Sequence, residues 1–249
     1  MDPFQFSIRN LRISYPVHGL PTKPVLDCND LTIYGGKLYF LMGRNGSGKT
    51  SFLKALLGLL DTEVAPGNYL QMANGNAVHG REFVRQVRVG YIPQNPHDAI
   101  VPSMSVLENL VVRQQIATSG GIRDWLGRLV IDKKRRGNAE EMIGRFPVLG
   151  FLMDKFNHHA GSLSGGELQL LNLAAMLFFR PQLVLMDEPT SKLDDNNRTR
   201  FWQLLSALDL AGVAMVVVTH ERLTTEVAAW GDGVHLEIRG GGISAVPAA

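Results

Sequence analysis

The chain is short of several things, and each shortage excludes something. It has one cysteine, Cys28, in 249 residues, so no internal disulfide can form, and a reducing compartment is implied. Its excess charge is slight: 25 Lys and Arg against 23 Asp and Glu leave +2. That gives no electrostatic case for nucleic acid as a partner. Its apolar runs are brief; stretches such as 38–42, 173–179 and 213–218 fall far below the ~20 residues of a membrane-spanning helix. Met1, Asp2 and Pro3 do not open a basic segment followed by an apolar run, so no secretory signal is read. His158 and His159 lack Cys or carboxylate neighbours at metal-ligand spacing.

What is present is ordinary for a folded protein with a real core: 45% hydrophobic and 19% charged residues. Residues 4–8 and 11–15 alternate as two strands, and 16–24, with three prolines, reads as a loop. Residues 31–34, Gly35-Gly36 and 37–42 read as strand, tight turn and strand, and 87–92 as another strand. Helical patterns then take over, at 105–117 and 139–149. From 165 onward helix (165–179), strand (183–186), helix (196–208), strand (213–219) and helix (221–229) alternate, with a last strand at 234–238 before a glycine-rich tail. That alternation predicts a parallel sheet with crossover helices. The expected fold class is α/β, with a mostly parallel core sheet, an N-terminal antiparallel β subdomain and an inserted α-helical subdomain. The expected boundaries are 1–94 and 161–249 for core plus β subdomain and 95–160 for the insertion.

Gly43-Arg44-Asn45-Gly46-Ser47-Gly48-Lys49-Thr50 fits G-x-x-x-x-G-K-[ST] between a hydrophobic strand and a helix pattern. Glycines let backbone N–H groups curl around phosphate oxygens, and the helix start adds its positive dipole end. Lys49 is expected to reach the β- and γ-phosphates and the Thr50 hydroxyl to ligate Mg2+, with Ser51 beside it. This predicts a P-loop NTPase core binding ATP with Mg2+. Farther on, Leu183-Val184-Leu185-Met186 runs into Asp187-Glu188, an apolar strand ending in two acids where ligands gather in parallel sheets. Asp187 is placed to hold Mg2+ and Glu188 to deprotonate the attacking water.

Leu163-Ser164-Gly165-Gly166-Glu167 precedes a helix pattern by one step and the acidic strand by about twenty residues. Here the sequence resembles the ATP-binding-cassette (ABC) ATPase family, whose signature is LSGGQ or LSGGE, over nearly the whole chain. Gln94 matches the family's Q-loop glutamine, implied to contact Mg2+ and water. Ser191-Lys192-Leu193-Asp194 matches the D-loop, His220 the switch histidine, and Tyr15 the aromatic that stacks on adenine. Ser164, Gly165, Gly166 and Glu167 form a second anion site, which in the family takes the γ-phosphate held by an opposing protomer. Departures are Lys192 where alanine is usual, 168–171 lacking the arginine of many members, and Thr50-Ser51 in reversed order.

The resemblance implies an ATPase with catalytic Glu188, His220 and Gln94, working as a homo- or heterodimer closed around two Mg-ATP. It implies a motor peripheral to the cytoplasmic face of a bacterial inner membrane, driving transmembrane permease subunits on separate chains, with a solute-binding protein among the conceivable partners. Residues 95–110 resemble the segment after the Q-loop in importer ATPases, so import is expected. The alternatives are an exporter ATPase and a soluble ATPase of an iron–sulfur assembly complex. Repair and chromosome ATPases need long coiled coils, and the family's translation factors carry two cassettes. The basic run 133–136 reads as a solvated loop, with contact to lipid headgroups as the alternative.

Overall fold

The computed structural model describes residues 4–17, 20–60, 69–72, 75, 77–78, 80–119, 132–209, 212–219 and 233–246. The chain divides into two compact units, Met1–Val89 with Gln182–Glu188 and Asp209–Ala249, and Gly90–Pro181 with Pro189–Leu208.

The first unit is built on a mixed sheet. Strands β1 (Gln5–Val17), β2 (Leu20–Tyr34), β3 (Leu38–Gly43), β4 (Tyr69–Met72), β5 (Ala77–Val78), β7 (Leu183–Asp187), β8 (Ala214–Val218), β9 (Val234–Arg239) and β10 (Gly242–Val246) lie in the order β5-β4-β1-β2-β10-β9-β3-β8-β7. The β9, β3, β8 and β7 neighbours run parallel, and β7 and β8 are buried along their whole length, as strands covered on both faces must be. The β1, β2, β4 and β5 pairs are antiparallel. Helices α1 (Lys49–Leu56) and α2 (Gly80–Gln86) complete this unit's described elements.

Four expectations change here. The two opening strands are one, β1, because Asn10 takes φ 51, a left-handed conformation asparagine tolerates, and the ladder resumes at Leu11 opposite Cys28. Within the loop expected at 16–24 the described backbone continues the β1–β2 pairing, with Tyr15 opposite Lys23 and Val17 opposite Leu20. Pro16 and Pro24 fall at its two irregular points, where a missing N–H costs no ladder bond. The strands flanking Gly35-Gly36 do not pair with each other, because β9 and β10 stand between β2 and β3. The expected glycine-rich tail supplies β10 itself, folded back on β9 from Gly242 opposite Arg239. Cys28 is fully buried in β2, and burial first, then Asp27 and Asp30, push its thiol up to about 12.

The second unit begins within β6 (Val89–Ile92) and is helical: α3 (Val106–Ser119), α4 (Lys133–Gly144), α5 (Gly150–Asp154), α6 (Gly165–Phe179) and α7 (Asp195–Asp209). Its centre is α6, buried from Leu168 to Met176 with both its polar residues, Gln169 and Asn172, bonded to backbone. Ser105 opens α3 with a capping box: Glu108 N donates to its Oγ at 3.2 Å and its own N donates to Glu108 Oε2 at 2.6 Å. The basic run expected as loop is the first turn of α4, started by Asp132, whose carboxylate accepts from Arg135 N at 2.8 Å. That helix stops at Gly144, ahead of Pro147, which holds Phe146 extended. The helix expected at 221–229, together with Trp125 and Trp230, lies outside the described residues; Trp202 is buried beside Phe201.

Candidate nucleotide site

Strand β3 delivers Gly43 to the carboxyl end of the parallel strands, and the chain curls through 44–48 into α1. The turn needs glycine at Gly48: φ is 101, and a Cβ would stand 3.0 Å from Val25 Cγ1. As the residue capping α1 it offers no side chain, so the first-turn N–H groups of the helix face a cavity of about 370 Å³. Lys49, itself buried, folds its ammonium back onto the loop, donating to the carbonyls of Gly43 at 2.8 Å and Arg44 at 3.1 Å. Burial pulls its pKa below the ordinary lysine value, while Glu188 and Asp187 push it back up. Ser47 Oγ is buried with no hydrogen-bond partner, a donor left over inside the loop. Arg44 and Asn45 are exposed, and Ser51 is half-buried.

The acid pair comes from the end of β7. Asp187 is 6% exposed, and burial raises its pKa against the lowering effect of a hydrogen bond from the Thr50 hydroxyl. The two residues expected to share Mg2+ therefore already touch, one hydroxyl and one carboxylate, oxygen donors of the kind a hard divalent cation takes. Glu188 turns away from the strand with φ 46, and its backbone N–H donates to Val218 O at 3.0 Å. A left-handed glutamate is an unfavourable conformation, held here by the β7–β8 ladder behind it. Glu188 lines the same cavity as Lys49, Thr50 and Ser51.

Gln94, the signature and the D-loop belong to the second unit. Ser164 starts α6 with a complete capping box: Glu167 N donates to Ser164 Oγ at 3.3 Å, and Ser164 N donates to Glu167 Oε2 at 3.0 Å. Burial would raise Glu167, but the ammonium of Lys155, at 2.5 Å, and the Ser164 N–H hold its pKa below the ordinary value. At Gly166 a Cβ would come within 2.4 Å of Asn197 Nδ2, so any larger residue displaces that amide. That same amide donates to Asp194 Oδ2 at 2.8 Å while Asn197 N donates to Oδ1, so Asp194 starts α7. Exposed Gln94, Gly165 and Lys192 line a second cavity of about 200 Å³ with His97, Pro96 and Gln169.

Glu167 and Asp194 were expected to bind nucleotide; both are committed to helix starts within their own unit. Tyr15 lies in β1 opposite Lys23, but its side chain lies outside the described residues, as does the whole of His220. Sequence reasoning missed Val25, which walls the cradle from β2, and Lys155, which holds Glu167 from across the helical unit. Neither leaves a local pattern, since both act through contacts between distant segments.

The sequence profile of the family described as ABC transporter matches residues 26–191. The chain belongs to that family. The cassette is 32% identical over 223 residues to the lipoprotein-releasing system ATP-binding protein LolD 1 of Chlorobium luteolum, covering 86% of this chain and 87% of that one. It is 30% identical over 196 residues to the ribose import ATP-binding protein RbsA of Oceanobacillus iheyensis, covering 79% of this chain and 36% of RbsA. Among solved structures, an ATP-binding cassette captured as a post-hydrolysis dimer with ADP and Pi superposes with a TM-score of 0.74 at 24% identity, covering 98% of this chain and 99% of that one. The chain is an ABC ATPase, the ATP-binding subunit of a transporter. No helix among the described residues is long and apolar enough to cross a membrane.

Proposed function

We propose that this cassette hydrolyses ATP in a head-to-tail dimer and drives membrane-spanning subunits on separate chains, at the cytoplasmic face of the membrane. The observation that carries the reading is the half-finished cradle: Lys49 and buried Ser47 Oγ spend their donors on the loop's own carbonyls or on nothing. A bound polyphosphate gives both a partner, together with the uncapped first turn of α1. Thr50, Asp187 and Gln94 would hold Mg2+, which supplies charge neutralisation to the phosphates when bound. Tyr15 would stack on the base. Glu188 Oε takes the proton of the attacking water, and His220 steadies that carboxylate. Ser164 and the amides of Gly165 and Gly166 would close over the terminal phosphate of the nucleotide held by the second protomer. Cleavage removes that bridge, and the halves part.

For direction, likeness to a lipoprotein-releasing ATPase over 87% of that protein's length supports release or export. Import is the second reading, supported by the segment after Gln94 and by the likeness to RbsA.

The test is Glu188→Gln. Turnover should fall by about 10²- to 10⁴-fold, while an ATP-bound dimer accumulates in light scattering. A variant that stays monomeric in excess ATP and Mg2+, alone and beside its co-purifying cassette, would sink the dimer. The integral membrane protein that co-sediments with the chain, assayed in vesicles, decides the direction; finding none would favour the soluble assembly role.

A further inference from the structure

The D-loop carries a cation that nothing among the described residues uses. Lys192 is exposed, lines the 200 Å³ cavity beside Gly165 and His97, and has no ion-pair or hydrogen-bond partner among the described residues. The acids next to it in sequence are taken: Asp194 by Asn197, and Asp195 by Arg198 at 3.4 Å. Glu167, on the first turn of α6, is held by Lys155 and by Ser164 N. Lys192 therefore stands at the positive end of α6, where the helix dipole repels it.

On the same wall, Gln169 is 2% exposed and spends its Nε2 on the carbonyls of Pro189 at 2.9 Å and Pro93 at 3.4 Å, leaving a buried Oε1 with no donor. A free ammonium, a positive helix end and a donorless acceptor are together what a hydrated anion completes. Oxygens of such an anion would face the ammonium and the helix amides.

We propose that Lys192 reads the terminal phosphate of the ATP held by a second copy of this chain, and sets the preference for triphosphate over diphosphate at that contact. The inference rests on the head-to-tail reading above. The phosphate arrives on the partner's cradle, so Lys192 acts in the clasp and leaves first capture of nucleotide alone. It is a specificity residue with no part in moving the proton.

The experiment measures ATP-driven self-association of Glu188→Gln by sedimentation, with Lys192, Lys192→Ala or Lys192→Arg, at about 50 and about 300 mM salt. Removing the cation should weaken association about tenfold at low salt, and the gap should shrink to about twofold at high salt. Lys192→Arg should keep most of the affinity, and ATP affinity of the dilute single chain should stay constant. Equal association with and without the cation overturns the proposal, as does a loss independent of salt. If Glu188→Gln carrying Lys192 does not self-associate, this inference fails; the head-to-tail reading fails with it only if the chain also stays monomeric beside its co-purifying cassette.

Discussion

Two helix starts in this cassette face the same problem and solve it oppositely. Helix α6 closes its own N-terminus, with the reciprocal bonds of Ser164 and Glu167 and an ion pair to Lys155 behind them. Helix α1 begins at Gly48 with no side-chain cap, a buried hydroxyl without a partner and a lysine turned back on its own loop. A helix that satisfies itself is finished by folding, whereas one that does not is finished by a ligand. On the function proposed above, the cradle is the site that captures nucleotide from solution. The signature end spends part of its donor capacity on structure and offers only the remainder to whatever is presented to it.

The strongest attempt to break this contrast is Lys49→Ala. If the cradle depends on its ligand as argued, ATP affinity of the single chain should drop about a hundredfold, the scale of lost charge-assisted phosphate bonds, read by nucleotide fluorescence titration. A drop below about threefold would mean the loop is as self-sufficient as α6. Next comes Gly166→Ala, whose Cβ collides with the Asn197 amide that helps start α7. It should destabilise the chain by about 1–3 kcal/mol in denaturant unfolding while leaving ATP capture intact.

The acids sharpen the comparison through opposite signs. Asp187, ordinarily near 3.8, is raised in the fold, so its effect is unfavourable above the raised value and is relieved as pH falls through it towards 3.8. Glu167, ordinarily near 4.5, is lowered, so its contribution is present above 4.5 and lost as pH falls through the depressed value. Asp187→Asn should therefore raise the melting temperature of the nucleotide-free chain at neutral pH, by a few degrees for about 1 kcal/mol. Glu167→Gln should lower it. Both moving the same way would erase the distinction. Smallest is Ser164→Ala, which removes one cap worth about 1 kcal/mol and should leave single-chain ATP affinity unchanged in the same titration.

What could be read from sequence was whatever is local. The loop 43–50, the strand into Asp187 and the span of α6 were visible because turn chemistry, strand burial and helix period each act within a few residues. Long-range pairing was invisible. Nothing near Gly35-Gly36 announces that β9 and β10 will stand between the strands it joins, and the glycines at 240–242 look like a tail until β9 gives them a ladder. Prolines misled at 16–24 because an irregular hairpin accommodates them where a regular one would not. At the site, Glu167 and Asp194 sit at positions that the resemblance marks as ligand-facing. Their part in starting helices, which no local pattern announces for Asp194, depends on Ser164 and Asn197 being positioned to answer them. Asp187 touches Thr50, and the acid pair faces Lys49, because a strand far along the chain returns beside α1.

Cys28 has a practical use that follows from where it sits. A sulfhydryl sealed inside β2 and reluctant to ionise until about pH 12 is nearly invisible to maleimides and other alkylating reagents at neutral pH. A reporter can therefore be attached through one new cysteine, such as Ser191→Cys on the exposed D-loop, with no need to delete the native one. Fluorophores or spin labels placed there on two copies would follow the approach and parting of the cassettes during turnover, in an otherwise unaltered protein.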